Sequence, residues 1–323
     1  MVPVISMLRL LFPFATPEEL LTVAAPFGPA AQVATPSDLR LLLGSVDQVT
    51  FASPVEVRID RSDIVVVEVD GISLALDRHD RAISQPILSG MGHDSWLADI
   101  AAEHCRPGMS VIDVGANVGY FTMLAWAAVG AEGRVIAIEP RSENCRLLLL
   151  SVGLNQAVSV ELLPIAADRE RGFAHFGTYI GTNGGLLADN ASALLDGRGV
   201  VVPTFALDEL VNGPVDLIKL DVEGAEGRVI DGARALVAEW RPVVVTELCP
   251  AMIESVSGCT CEEYLAFFME LGYRIQEVDP YARSTGPVES VGELMDRWGE
   301  HSVIRNLLLT TEVDHPGQTS PID

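Results

Sequence analysis

From residue 95 onward, short runs of Val, Ile and Leu alternate with stretches whose apolar positions recur every three or four residues. The first pattern predicts buried strands and the second predicts helices with one buried face. Ser95 to Cys105 reads as a helix stopped by Arg106-Pro107-Gly108. Val111 to Thr122 then begins as a β-branched strand, turns through Gly115 and Gly119 around Asn117, and continues as the helical pattern Tyr120 to Val129. Strands are expected at Arg134–Glu139, Val158–Ala166, Val215–Val222, Val243–Leu248, Tyr273–Val278 and Val303–Thr310. Helices are expected at Ser142–Leu154, Ala225–Ala238, Thr260–Leu271 and Val291–Trp298. Strands alternating with helices imply an α/β fold with a doubly wound, mainly parallel sheet.

Upstream the pattern differs. Thr16-Pro17-Glu18-Glu19 and Thr35-Pro36-Ser37-Asp38 carry helix-start signals, with Pro and acids in the first turn. Three β-rich runs follow, Val55–Asp60, Ile64–Asp70 and Gly71–Asp77, and Asp70-Gly71 is a tight-hairpin signal. Residues 1–94 therefore read as an N-terminal accessory segment of helices and a β-meander that covers the substrate side or mediates a homodimer. Residues 95–312 form the sheet-bearing domain, and 313–323 a flexible polar tail. Met1–Phe14 is apolar but interrupted by Pro3 and Pro13, so it is not read as a signal peptide. The Gly- and Asn-rich interval 172–199 carries no element that the pattern defines.

Composition narrows the partners. The 323 residues are 49% hydrophobic with a formal net charge of −24. That charge opposes nucleic acid or an anionic membrane as partner, since both require a basic footprint. No apolar run of spanning length is free of charge, Pro or turn residues. The five cysteines are odd in number and lack CxxC spacing, which suits reduced thiols in the cytoplasm and neither disulfides nor zinc.

The Gly-rich turn lies where open α/β sheets bind nucleotide-like ligands. A dinucleotide fingerprint would place glycines at positions 115, 117 and 120, but Asn117 and Tyr120 occupy two of them. This opposes an NAD(P)-linked oxidoreductase. The pattern is instead Asp113-x-Gly115-x-Asn117-x-Gly119, with Glu139-Pro140 ending the second strand and Asp168 following the third. A carboxylate at Glu139 can accept both hydroxyls of a ribose, and Asp168 can accept from an adenine amine. Acids at successive strand ends repel pyrophosphate and suit a sulfonium and an α-amino group, which favours S-adenosylmethionine as cofactor.

At the fourth strand, Lys219, the lone lysine, and Asp221 are two apart and share a face, with Glu223 just beyond. Two readings stay open. Either Asp221 orients the sulfonium or acceptor while Lys219 or Glu223 assists proton removal, or Lys219 is a buried ion-pair partner of Asp221 or Glu247. His93 ahead of the domain, and His175 with Tyr179 in the Gly-rich interval, are further base candidates. Asp221, Glu223 and Glu247 lack the adjacent acidic pair that a hard cation prefers, and no metal is expected.

The sequence resembles the FkbM-type family of S-adenosylmethionine-dependent methyltransferases. The resemblance is carried by Asp80–Ser84 with Gly92-His93-Asp94, by Val111–Thr122, and by Ile138-Glu139-Pro140. It continues through Leu207–Leu210, the block Val215–Glu226, and Arg241-Pro242 to Glu247-Leu248. It implies a Rossmann-like class I methyltransferase fold and transfer of the methyl group, by in-line displacement, to a hydroxyl oxygen of a small molecule such as a secondary metabolite or sugar. S-adenosylhomocysteine is then the product. By motif match, Asp113, Gly115, Asn117 and Gly119 would line the methionine part, Glu139 with Pro140 the ribose, and Asp168 the adenine. A non-catalytic S-adenosylmethionine-binding or assembly protein is the alternative from another class.

Overall fold

In this computed structural model the described residues are 2–3, 32–33, 63–89, 95–178, 184–187, 199–278, 287–288 and 290–311. The expected helices near Thr16 and Thr35, the run Val55–Asp60, the segment with His93, Tyr179 and the tail lie outside them. Two short strands, β1 (Val2–Pro3) and β2 (Gln32–Val33), pair antiparallel. The strands β3 (Ile64–Val69) and β4 (Ile72–Asp77) form the expected hairpin. Asp70 and Gly71 both take positive φ, 50° and 81°, the backbone that a two-residue hairpin turn demands.

Further along the chain lie β5 (Ser110–Val114), β6 (Arg134–Ile138), β7 (Val160–Leu163) and β8 (Ala166–Ala167). Then come β9 (Gly172–Thr178), β10 (Gly184–Leu186), β11 (Gly199–Phe205) and β12 (Leu217–Leu220). The last are β13 (Val243–Leu248), β14 (Arg274–Val278), β15 (Pro287–Val288) and β16 (Arg305–Thr310). The main sheet has the order β15-β14-β16-β13-β12-β5-β6-β7. Every pairing from β7 to β13 is parallel, and β16 inserts antiparallel between β13 and β14. This is the doubly wound, mainly parallel arrangement expected, with its order reversing beside β5.

Alternation along the central strands explains the layers. Val111 and Val135 point to one face and pack with Phe121, Met123 and Leu148. Ile112, Ile136 and Ile218 point to the other and pack with Val229, Leu265 and Phe268. Successive strand residues face opposite sides, so a strand covered by helices on both faces must be apolar at nearly every position. The hairpin docks on the helix Ser142–Asn155: Ser151 Oγ accepts from Ala75 N at 3.0 Å, and Asn155 bonds both ways with the Ser73 backbone.

Two expected elements are broken. The run Val158–Ala166 is divided between β7 in the main sheet and β8 in a second sheet of order β10-β9-β11-β8. Pro164, which has no N–H for a ladder, stands at the division. The expected helix Ala225–Ala238 is two helices, Glu226–Asp231 and Arg234–Trp240. Gly232 lies between them, against the Asp168 carbonyl, where an added Cβ would approach to 2.1 Å. Asp208 then holds the second helix by accepting from Ala235 N and Leu236 N. Two strands of the second sheet, β9 and β10, come from the Gly-rich interval, where glycines weaken the strand pattern.

Candidate functional site

The ends of β5, β6 and β12 open on one cavity. Its floor is Gly115, Ala116 and Asn117, and the second sheet contributes Phe176, Gly184, Gly185 and Leu186. Both backbone conformation and close packing demand glycine in the turn after β5. Gly115 has φ 78°, and an added Cβ would stand 1.9 Å from the Asp221 carbonyl oxygen. Gly119 has φ 92°, and its Cβ would strike Leu148 at 2.1 Å. Asn117 also takes positive φ, 51°, a conformation that Asn tolerates better than most residues. The turn's amides are engaged within the protein: Gly115 N and Ala116 N donate to the Ile138 carbonyl, Asn117 N to Glu139, and Gly119 N to the Ala116 carbonyl. They do not form the open row of donors that holds a pyrophosphate.

Glu139 lines the cavity at 4% exposure. Its Oε2 accepts from Asn117 N at 2.9 Å, and its Oε1 from Arg141 N at 2.8 Å and Asn144 Nδ2 at 3.3 Å. Burial pushes its carboxyl up to about 7 against the pull of these hydrogen bonds. Pro140 and Asn144 line the same wall.

Asp113 does not reach the cavity. It is fully buried, accepts from Thr122 Oγ1 at 2.6 Å, and lies 3.2 Å from Lys219 Nζ. Asp113 and Lys219 are Cα partners across β5 and β12, which places both side chains on the same face of the sheet. Lys219 Nζ also donates to the Gly115 carbonyl at 3.0 Å and lies 3.4 Å from Asp221 Oδ2. The lysine thus joins β5, the Gly-rich turn and the acid at the end of β12, and it lines the cavity.

Asp221, Glu223 and Glu247 line the cavity at neighbouring strand ends. Burial, and then the charge of Asp221, push Glu223 up to about 7. Asp168, in contrast, lies in a separate hollow with Arg169, Arg171 and Arg228. Its carboxylate takes a two-point pair from Arg228, with Nε at 2.8 Å from Oδ1 and Nη2 on Oδ2. After the break at Pro164, Ala166 and Ala167 line the cavity, and Asp168 lies beyond them against Arg228. His175 neighbours Phe176 on β9, so it faces the opposite side of that strand, outside the cavity lining.

Several contributors escaped the sequence reading. Asn144 supports Glu139 from the first turn of the following helix, Tyr120 donates to Asp70 Oδ2 at 2.6 Å, and Ile83 lines the cavity. Ile83 is set there by Asp80, which accepts from Ala82 N, Ile83 N and Ser84 N. The Asp80–Ser84 segment offered a signal, because an acid two to four residues ahead of free amides is a capping pattern. Among the described residues no group of three or more His, Cys, Asp or Glu side chains is arranged to hold a metal, and no helix is long and apolar enough to cross a membrane.

Comparison with known proteins bears on the family. The Methyltransferase FkbM domain family matches residues 113–275, half of the chain. Protein-L-isoaspartate O-methyltransferase 1 of Arabidopsis thaliana is 31% identical over 110 residues, covering 31% of this chain and 48% of the relative. Protein-L-isoaspartate O-methyltransferase 2 of the same plant is 25% identical over 187 residues, covering 51% and 57%. The chain therefore spans about half the length of these relatives. A crystal structure of methyltransferase FkbM from Methylobacillus flagellatus is similar with a TM-score of 0.40 and 14% identity, covering 72% of this chain and 61% of that one.

Proposed function

This chain belongs to the FkbM methyltransferase family, whose domain is S-adenosylmethionine-dependent, and from that premise we propose transfer of a methyl group to a hydroxyl oxygen of a small molecule. The observation that carries the reading is the meeting in one cavity of Glu139 from the end of β6 with Asp221 and Glu223 from the end of β12.

The residues present suit the cofactor. A carboxylate has about four acceptor positions. Three of Glu139's are filled, which leaves one for a single ribose hydroxyl rather than the two expected from the sequence. The cavity sets Glu139, Asp221, Glu223 and Glu247 against Lys219, a negative surplus that suits a sulfonium and an α-ammonium. The engaged amides of the Gly-rich turn and the residues Asn117 and Tyr120 oppose a dinucleotide. S-adenosylmethionine, when bound, supplies an electrophilic methyl group on sulfur.

Displacement at that methyl requires an oxygen nucleophile held in line and a group to take its proton. Glu223 is the base in this reading. Its carboxyl is poised near 7 by burial and by Asp221, close to the working pH at which a general base is most effective. Asp221, held by Lys219, orients the acceptor beside it. Both Arabidopsis relatives are O-methyltransferases by name, which supports oxygen as the acceptor atom. The carboxylates at the ends of β12 and β13 favour a neutral hydroxyl over an anionic acceptor.

Calorimetric titration with S-adenosylhomocysteine, and with NADH as control, tests the cofactor. Release of S-adenosylhomocysteine over a panel of hydroxyl compounds then tests the reaction. Thioether binding with hydroxyl-dependent release supports the proposal. NADH binding alone overturns it, and binding without turnover on any hydroxyl indicates a non-catalytic role.

A further inference from the structure

We propose that Glu226 is a positioning residue, whose buried carboxylate holds the turn Val222-Glu223-Gly224 in the shape that presents Glu223 to the cavity. The inference rests on the role of Glu223 proposed above. The turn needs holding, because Glu223 and Gly224 both take positive φ, 55° and 96°. For a residue other than glycine that conformation costs about 1–2 kcal/mol.

Glu226 is 2% exposed and does not line the cavity, so it acts through its neighbours. Its Oε1 accepts from Val222 N at 3.2 Å and from Gly224 N at 3.3 Å, one amide on each side of Glu223. The reverse side of the turn is held as well. Ser257 Oγ donates to the Gly224 carbonyl at 2.6 Å and accepts from Arg228 N at 3.3 Å. Gly224 lies against the Met252 backbone, where an added Cβ would stand 2.6 Å from the carbonyl oxygen. The turn is therefore fixed on both sides.

Glu226 Oε2 has no hydrogen-bond partner. A buried carboxylate with one oxygen unsatisfied is costly, so the chain retains this acid against a penalty that the two amide bonds only partly offset. Burial, with Asp221 adding in the same direction, pushes Glu226 up to about 7. Its carbonyl-type oxygen can accept the two amides in either protonation state.

The test compares Glu226→Met, which fills the buried space without an acceptor, with Glu226→Gln, which keeps one. Glu226→Ala serves as second variant if Met does not fold. Two readouts are taken on the full chain without added ligand: hydrogen exchange at the Val222 and Gly224 amides, and titration of a 13C-labelled Glu223 carboxyl by NMR. In Glu226→Met, exchange at both amides accelerates about tenfold or more, and the Glu223 midpoint falls from about 7 toward the ordinary 4.5 as the residue reaches water. Glu226→Gln restores both. Unchanged exchange, an unmoved Glu223 midpoint, or a Gln variant as impaired as Met overturns the proposal. Neither readout requires turnover. A Glu223→Gln variant that keeps its full methyl-transfer rate would separately overturn the base assignment.

Discussion

Lys219 Nζ stands 3.2 Å from Asp113 Oδ1 at the centre of the parallel sheet, with Asp113 fully buried and the lysine side chain 7% exposed. Desolvating two charges is costly, and their attraction repays it only when the remaining donors and acceptors are satisfied. Here Thr122 serves the other oxygen of Asp113, and the Gly115 carbonyl and Asp221 serve the ammonium. The pair thereby ties the Gly-rich turn to the acidic end of β12.

Removing the cation leaves Asp113 uncompensated. Lys219→Met is expected to lose about 3–5 kcal/mol of stability in urea denaturation. A variant as stable as the parent would mean that the pair contributes nothing.

Glu139→Ala is expected to weaken S-adenosylhomocysteine binding by about 1–3 kcal/mol, the range of hydrogen bonds to a charged group. The circular dichroism spectrum should be retained. Calorimetry that finds the parent affinity would sink the ribose assignment.

Asp168→Asn separates a scaffold role from an adenine contact. It is expected to cost about 2–3 kcal/mol of stability through the half-lost pair with Arg228, discounted for that arginine's partial exposure. Affinity for S-adenosylhomocysteine should be unchanged. A loss of affinity with intact stability would return Asp168 to the binding site.

Stability should fall as pH rises toward neutrality. Burial raises Glu139 and Glu226 from the ordinary 4.5 to about 7 in the folded protein. The native state therefore binds more protons than the unfolded chain between those values. Its extra stability is full below the unfolded value and lost as pH rises through the folded one. Thermal melts between about pH 5 and pH 8 should show a decline on the order of a few kcal/mol, with a shallower slope for Glu226→Gln.

Methyl transfer should show the opposite dependence. If Glu223 must be ionised to accept a proton, kcat/KM rises with pH through about 7 and levels above it. Glu223→Gln should lower the rate about 10²–10⁴-fold and remove that limb. A limb that persists in the variant assigns the titration to another group.

Much of the fold is readable locally. The Asp70-Gly71 turn, the strand–Gly115–helix unit and the helix that begins at Thr260 are each written within a few residues, and each is realised. Asp168 shows where that reading ends. It stands where a third-strand acid should, but Pro164 divides the strand, and the carboxylate meets Arg228 instead of the cavity. Gly232 likewise stands where a continuous helical pattern is divided, at a place where the Asp168 carbonyl leaves no room for a Cβ.

The sequence by itself determined the alternation of strands and helices, the Gly-rich turn after β5, and that Glu139 and Asp221 follow directly on their strands. Periodicity, φ preference and turn chemistry act over a few residues and need no partner from elsewhere in the chain. The tertiary structure alone decided which acids face the cavity. Asp113 and Lys219 meet because β5 and β12 lie side by side in a register that no local pattern encodes. Glu226 clamps the Glu223 turn only once the helix and loop around Ser257 are packed behind it. A charge finds its partner through lateral packing between distant segments, and that is set by the whole core rather than by neighbours in sequence.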